Sequence, residues 1–456
     1  VTGRHKPGSY YTPKPIVSFM CREALKGYLG GYEALVDEHN VEQINVPKAR
    51  DLLQKLSEVK IVDPACGSGA YLLGMLHELH SLTRLLDTRA QPENARDDYH
   101  RKLNIIQNNL YGVDIDEFAV NIARLRLWLS LTVEFDGEHP EPLPNLDFKI
   151  ESGDSLTAPN PENVGQYTLR GQIIRQYRDA KNSYLTMSEG VQKQILKQKI
   201  NEFKAEIALI THGSNKVNGF DWAVEFAEVF SQKGFDIVLA NPPYGATVGD
   251  RVRDLYFDRL TDGAQSKDTY GLFMARGLQM LRSGGQLCYI VSDTWRTIKT
   301  HKPLRKLFLE KTTIAHFIDL PSWVFDATVN TCILTVAKNT ASESHDLIAA
   351  DLRSLQIGDW NKLTENLAAI AAHSVDLQTI DYARYTYPQS LIATYDNLSL
   401  FIGSPKLYQL LSNSNFSRLG TIADVKVGLQ TSDNDYYLRK RRGARGSYEI
   451  LDESKL

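Results

Sequence analysis

The chain has 456 residues, 42% of them hydrophobic and 23% charged, with a formal net charge of −3. This length suggests two or three domains with a real core, and the composition is that of a globular rather than a disordered protein. No apolar run approaches the roughly 18 residues of a membrane span, no signal peptide opens the chain, and four scattered cysteines without a CxxC pair fit a reducing cytoplasm better than a zinc site or a disulfide framework.

Val1 is not a methionine, so residues are expected upstream. The first strong strand is KIVDPA (60–65), followed by the turn CGSGAY and an apolar-periodic helix over 71–86. A second strand, NLYGVDI (109–115), precedes a helix over 117–133, and a short third strand, DFKIES (147–152), ends at Gly153-Asp154-Ser155. The fourth strand is FDIVLA (235–240); a helix over about 268–282 follows, then strands at 285–292, 313–320 and 330–338. Strands alternating with helices imply an α/β fold with a mainly parallel sheet, which binds ligands at the carboxyl ends of its strands. Every sharp motif of this chain lies at such an end.

Residues 165–212 interrupt the alternation with one or two long polar helices, on which Ile195, Ile200, Phe203 and Ile207 recur at roughly helical spacing. A solvated antiparallel pair packed on the core is the simplest reading; bracing another domain or lying on DNA are the functional ones. The expected organisation is a catalytic domain over 1–340 containing this insertion, a helical connector over 341–415, and the start of a strand-rich domain over 416–456.

DPACGSGAY (63–71) is a strand, a turn and a helix start, with Gly67 and Gly69 permitting a tight turn and close backbone approach to a ligand. It lacks the third glycine of GxGxxG, and Asp63 at the strand end would repel a pyrophosphate. A cationic ligand would welcome that carboxylate, and S-adenosylmethionine carries an ammonium and a sulfonium. Asp114, ending the second strand, is placed to accept from ribose hydroxyls, and Asp154, ending the third, from an adenine amino group. Each acid alone could be a helix cap; three at successive strand ends beside a glycine loop argue for a site.

Directly after the fourth strand stands Asn241-Pro242-Pro243-Tyr244. Proline has no N–H to give a sheet, so this is a rigid turn. An exocyclic amino group on a base is a poor nucleophile because its lone pair is delocalised into the ring. The Asn241 side-chain oxygen and the Pro242 carbonyl supply two acceptors for its hydrogens, Tyr244 supplies a ring to stack on the base, and the prolines hold both acceptors in place. In duplex DNA such a base must first be flipped out.

With these motifs the chain resembles the amino-group DNA methyltransferases, specifically the adenine-N6 enzymes of the gamma arrangement. GSYYTPKPIVSFM (8–20) is similar to their amino-terminal motif, TYGLFMARGLQML (269–281) to the helix after the catalytic turn, and WVFDATVNTCILTV (323–336) to a late motif. The resemblance covers about residues 8–338. It implies a Rossmann-like sheet that binds S-adenosylmethionine through Thr12, Asp63, Ala65, Gly67, Gly69, Asp114, Ile115, Asp154, Ser155, Asn241, Pro243 and Phe273. It implies catalysis by Asn241, Pro242 and Tyr244, with Tyr244 and Phe325 stacking on the flipped base, and direct in-line displacement without a metal. The insertion and FDWAVEFAEVF (220–230) look like type IIG restriction-modification enzymes of the Eco57I kind and the methyltransferases of BREX phage-defence systems. KVGLQTSDNDYYL (426–438) then resembles the start of a target-recognition domain, where RKRRGAR (439–445) could touch phosphates of double-stranded DNA; the low net charge does not exclude such a local groove. Other defence-system subunits are conceivable partners.

Two rivals follow from the same residues. NPPY also serves enzymes acting on RNA or on protein glutamine, but those are typically small and lack a trailing recognition domain. A non-catalytic subunit that senses the cofactor and binds DNA would keep the same motifs. Glu202-Phe203-Lys204 has the spacing of a nuclease motif but falls in an expected helix, so any nuclease would lie outside this chain. HELH (77–80) is read as surface helix rather than as a metal motif.

Overall fold

The computed structural model describes residues 12–30, 41–90, 97–134, 146, 148–156, 158, 161, 169–187, 190–212, 220–244, 266, 268–325, 329–372, 375–411, 423, 438–440 and 448–450. The strands are β1 (Ile61–Asp63), β2 (Leu110–Asp114), β3 (Ile150–Ser152), β4 (Phe235–Ala240), β5 (Leu281–Ser292), β6 (Thr313–Asp319), β7 (Thr331–Ala337), β8 (Asp346–Asp351), β9 (Leu377–Gln378) and β10 (Ala383–Pro388). They form one sheet in the order β3-β2-β1-β4-β5-β7-β6-β8-β10-β9. From β3 to β5 all neighbours are parallel, while β7 runs antiparallel to both β5 and β6. The expected α/β fold with a mainly parallel sheet is the one observed at this end of the molecule.

β4 shows why: all six residues of FDIVLA are buried, the pattern of a central strand covered on both faces. The helix Ala70–Ala90 leaves the β1 turn, and the helix Lys14–Tyr28 packs on it, burying Ile16, Val17, Met20, Cys21, Ala24 and Leu25. The two approach closely because Gly74 has no side chain; a Cβ there would lie 2.3 Å from Val17 Cγ1. Glu78 fastens the pair, accepting from Ser18 Oγ at 2.6 Å and from Arg22 Nε at 3.0 Å. This corrects the reading of HELH as surface: Glu78 and His80 are buried, and His80 Nε2 lies 2.9 Å from Asp98 Oδ1. Asp98 opens the helix Asp98–Asn108, which fills most of the polar stretch between the first helix of the sheet and β2.

The insertion is two helices, Leu169–Thr186 and Val191–His212, packed against each other. Their shared core holds Ile173, Ile174, Tyr177, Tyr184, Ile200 and Ile207, together with Phe148, Val224 and Ala227. Of the residues that marked the helical spacing, Ile200 and Ile207 are buried, Phe203 is partly buried and Ile195 is exposed. Lys181 is fully buried and donates to the Glu225 carbonyl, with Glu228 at 3.3 Å. The pair packed on the core is the arrangement observed.

Residues 341–415 differ from the expected helical connector. Two α-helices, Trp360–Ala372 and Pro405–Leu411, are present, but β8, β9 and β10 extend the same sheet beyond β6, so residue 340 is not a boundary of the fold. DLIAAD and ARYTYP are strands of six residues with incomplete alternation, a far weaker pattern than the helix between them. The first compact unit runs from Val1 to Tyr408 and the second from Gln409 to Leu456. The described residues of the second unit include an antiparallel strand pair, Leu438–Lys440 with Tyr448–Ile450. The expected recognition-domain start at 426–437, the basic residues 441–445 and residues 8–11 of the amino-terminal motif lie outside the described residues. No described helix is long and apolar enough to cross a membrane.

Candidate active site at the carboxyl edge of the sheet

Because β3, β2, β1 and β4 are parallel neighbours, Asp154, Asp114, Asp63 and Asn241 fall in a row along one edge of the sheet. Adjacent strands lie roughly 4.8 Å apart, so the row spans about 14 Å.

The glycine loop leaves β1 in the middle of this row. Gly67 (φ 50°) and Gly69 (φ 81°) both take left-handed conformations that favour glycine. A Cβ on Gly69 would stand 3.0 Å from the Ala123 Cβ, whereas one on Gly67 would meet nothing within 4 Å. Cys66 N–H donates to Val113 O at 2.9 Å, Gly67 N–H to Asp114 Oδ2 at 2.8 Å, and Arg126 Nη1 to Ser68 O at 2.8 Å. Asp114 Oδ1 also accepts from Asp116 N–H at 2.9 Å. The Asp114 carboxylate therefore shapes the loop, and its remaining lone pairs are available to a ligand.

Asp63 is 2% exposed, and its Oδ1 accepts from Ala65 N–H at 3.0 Å. Burial pushes its carboxyl well above the usual carboxylate range; the Ala65 hydrogen bond opposes that rise and the nearby Asp114 adds to it. Among the described residues no Lys or Arg forms an ion pair with Asp63. A buried carboxylate at a ligand-facing strand end is the electrostatic complement of a cation. Beside Asp114, the side chains of Ile115 and Phe118 are each 74% exposed, an open apolar surface at the head of the helix Glu117–Thr132. Asp154 is half-buried, and its Oδ1 accepts from Leu156 N–H at 2.9 Å.

Ser155 braces the turn beside Asp154. Its buried hydroxyl donates to Pro64 O at 2.6 Å, and its carbonyl accepts from Trp222 Nε1 at 3.0 Å. It clamps the β1 turn to the end of β3, with its hydroxyl hydrogen given to Pro64.

The NPPY turn is gripped on both sides. Asn241 Nδ2 donates to Thr12 Oγ1 at 3.0 Å, and the Pro243 carbonyl accepts from Thr269 Oγ1 at 2.6 Å. The Pro242 carbonyl accepts no hydrogen bond among the described residues. Tyr244 is buried, its hydroxyl 2.6 Å from Asn241 Oδ1 and 3.0 Å from Ile290 O, its ring edge-on to Tyr270 at 6.1 Å. Phe273 is buried one turn beyond Thr269. Phe325 follows β6, which β5 and β7 separate from β4, and is only 5% exposed. Direct hydrogen bonds thus pair Asp63 with Ala65, Gly67 with Asp114, and Asn241 with both Thr12 and Tyr244, while Phe325 is buried in the core. A cavity of about 650 Å³ lies elsewhere, between the insertion and the start of β5, lined in part by Ile174, Arg175, Phe230 and Leu281.

Sequence reasoning missed the braces: Thr269 on Pro243, Trp222 on Ser155 and Arg126 on Ser68. Only Thr269 carried a signal, as a hydroxyl residue at the head of the helix that follows the turn.

Residues 108–325 match the family described as Eco57I restriction-modification methylase, and residues 39–141 match the MmeI DNA-methyltransferase domain. A protein of Methanocaldococcus jannaschii named as a type II restriction enzyme and methyltransferase is 24% identical over 98% of this chain and 45% of its own length. The type II restriction enzyme and methyltransferase RM.Eco57I of Escherichia coli is 24% identical over 84% of this chain and 33% of its own. The adenine-specific methyltransferase PglX of Lacticaseibacillus casei is 22% identical over 87% of this chain and 33% of its own. The chain therefore spans less than half the length of these curated relatives.

Proposed function

We propose, from the match of residues 108–325 to the Eco57I restriction-modification methylase family, that the protein methylates the N6 amino group of adenine in double-stranded DNA, at a specific sequence, as part of a restriction or phage-defence system. The observation that carries this reading is the placement of the Asn241 amide in line with Asp63, Asp114 and Asp154 on four neighbouring strands. The names of the relatives, two joining restriction with methylation and one adenine-specific, support it.

The residues present fit S-adenosylmethionine. Asp63 offers a buried carboxylate to a cation, Gly67 leaves space for close approach, and Asp114 and Asp154 offer acceptors for ribose hydroxyls and an adenine amino group. Ile115 gives the adenine an apolar face, and Phe273 packs beside it. When bound, the cofactor supplies an electrophilic methyl on sulfur. Asn241 Oδ1 and the Pro242 carbonyl accept the hydrogens of the target amino group, drawing its lone pair out of conjugation with the ring. Tyr244 and Phe325 hold the flipped base by stacking, which requires both rings to move out of the buried positions they occupy at rest. The residues from 416 onward begin the target-recognition domain.

Calorimetric titration of the protein with S-adenosylmethionine tests the reading. One equivalent binds, and Asp63→Asn weakens binding by about tenfold or more, a charge-assisted contact being lost. Absence of binding would refute the assignment of the row. The rival substrates, RNA and protein glutamine, are excluded if DNA alone accepts the methyl group.

A further inference from the structure

The amino edge of the sheet, opposite the row of acids, carries the cavity of about 650 Å³. β4 begins at Phe235 and β5 at Leu281 as parallel partners, and β7, antiparallel to β5, ends beside them at Ala337. Lys233, Leu281, Ser283 and Lys338 line the cavity from this edge, a strand length of roughly 20 Å from Asn241 at the far end of β4. The helix Leu169–Thr186 lines it with Arg175 and Arg178, three residues apart and so on one face. Among the described residues four cations and no carboxylate therefore surround the space, and Ile174, Ala227 and Phe230 add apolar wall. Two lining residues are held in unusual states. After the short helix Ala227–Phe230, Lys233 N–H donates to Phe230 O at 3.1 Å and Gly234 N–H to Val229 O at 3.2 Å, a helix stop whose left-handed position glycine usually fills. Lys233 occupies it at φ 75°, a strain that persists where the side chain has a task. Gln279 is 7% exposed on the helix Thr269–Met280; its Oε1 accepts from Arg276 Nη1 at 2.8 Å, and its buried Nε2 has no acceptor among the described residues. An oxygen-rich anion in the cavity supplies one, directly or through a bridging water.

We propose that this cavity binds a free nucleoside polyphosphate, with its phosphates among Arg175, Arg178, Lys233 and Lys338 and its base against the apolar wall. Planar guanidinium groups match phosphate oxygens, and the volume suits one small molecule. Arg178 Nη2 lies 3.1 Å from Asp179 Oδ1 and Lys338 Nζ donates to Leu281 O at 2.7 Å, but a guanidinium has five donors and an ammonium three, so each keeps donors for a ligand. Arg175 and Lys233 are exposed, so the ligand enters from solvent. Duplex DNA also offers phosphates, but its bases are stacked inside a rod, whereas an apolar-walled cavity of this size takes one detached base. The site leaves the row of acids clear and does not depend on methyl transfer.

Calorimetric titration of the full chain with ATP, adenosine, tripolyphosphate and a short DNA duplex, in EDTA so that no divalent cation masks the phosphates, tests it. One ATP binds, and adenosine and tripolyphosphate, each with half of the recognised chemistry, bind about tenfold or more weakly. Arg175→Ala and Lys233→Gly each weaken ATP by about tenfold, the scale of losing one charge-assisted contact. Lys233→Gly keeps or raises the thermal midpoint, because glycine suits φ 75°, so its lost binding is not lost folding. Asp63→Asn leaves ATP binding unchanged. Absence of ATP binding, or tripolyphosphate binding as tightly as ATP (an adventitious ion only), would overturn the proposal. So would ATP binding that S-adenosylmethionine or Asp63→Asn abolishes while Arg175→Ala and Lys233→Gly spare it, which would put the nucleotide on the row of acids. Duplex DNA that displaces ATP and itself weakens in Lys233→Gly would make the cavity a DNA contact and overturn the nucleotide assignment. The expected ATP pattern without any binding of S-adenosylmethionine would support the cavity site and count against the methylation reading alone.

Discussion

The Tyr244 hydroxyl lies 2.6 Å from Asn241 Oδ1, so at rest it covers the oxygen that an incoming amino group would use. Ile290 O, 3.0 Å from the same hydroxyl, is a ready alternative acceptor when Asn241 is engaged. The cap is therefore removable at small cost. Tyr244→Phe keeps the ring and loses the cap: methyl transfer stays within a few-fold of wild type. Tyr244→Ala loses the stacking ring, and single-turnover transfer falls by about 10- to 100-fold. Equal losses in the two variants would show that the hydroxyl, not the ring, matters.

Asp63 makes cofactor binding pH-dependent. Its carboxyl sits above the ordinary range in the free protein because it is buried, so the protonated form is favoured there. In linkage terms this raised group supports the free fold most fully below about pH 4, and that support fades as the pH rises through the elevated value. A bound cation favours the ionised form, so binding expels a proton, and affinity climbs with pH until Asp63 is ionised without help. Below about pH 7 the ligand's own amine remains protonated, which isolates the carboxyl. Calorimetry from pH 5 to 7 in buffers of different ionisation heat detects the released proton, and Asp63→Asn abolishes both the release and the pH slope.

The two loop glycines separate folding from binding. Gly69→Ala places a methyl 3.0 Å from Ala123 in a left-handed turn and lowers stability by about 1–2 kcal/mol or more, seen as a reduced denaturation midpoint. Gly67→Ala carries a similar backbone strain without a clash, and its methyl points into open space. It therefore loses cofactor affinity out of proportion to its loss of stability.

Lys181 holds the insertion to the core. It is fully buried between the Glu225 carbonyl and the Glu228 carboxylate, and Glu228 is held below its usual range because Lys181 and Lys149 outweigh the cost of its burial. Lys181→Ala leaves that carboxylate with a partner missing and costs about 3 kcal/mol in chemical denaturation. The Glu228 contribution is present above the unfolded carboxylate value and lost as pH falls through the lowered one, so the variant's deficit narrows in acid.

Asp63, Asp114, Asp154 and Asn241 were legible in the sequence because each follows an apolar run and opens a turn, and a parallel sheet places such residues on one edge. Gly67 and Gly69 were legible for the same reason. The contact of Thr12 with Asn241 was not, since 229 residues separate the partners and only the fold joins them. The bond from the Ser155 hydroxyl to Pro64 O was not legible either, because a hydroxyl's direction depends on the turn that carries it. Glu78 and His80 were misjudged because the helix Ala70–Ala90 has neighbours on several sides, so its polar positions also face protein. β8 and β10 were hidden by their short, incomplete alternation beside a clear helix.

The most direct measurement incubates the full-length protein with methyl-labelled S-adenosylmethionine and mixed-sequence duplex DNA, then digests the DNA to nucleosides. The expected result is label in N6-methyladenosine's deoxy counterpart alone, lost by a factor of about 100 or more in Asn241→Ala while cofactor binding persists. Label in another base, label that survives Asn241→Ala, or no label despite tight cofactor binding would contradict the account.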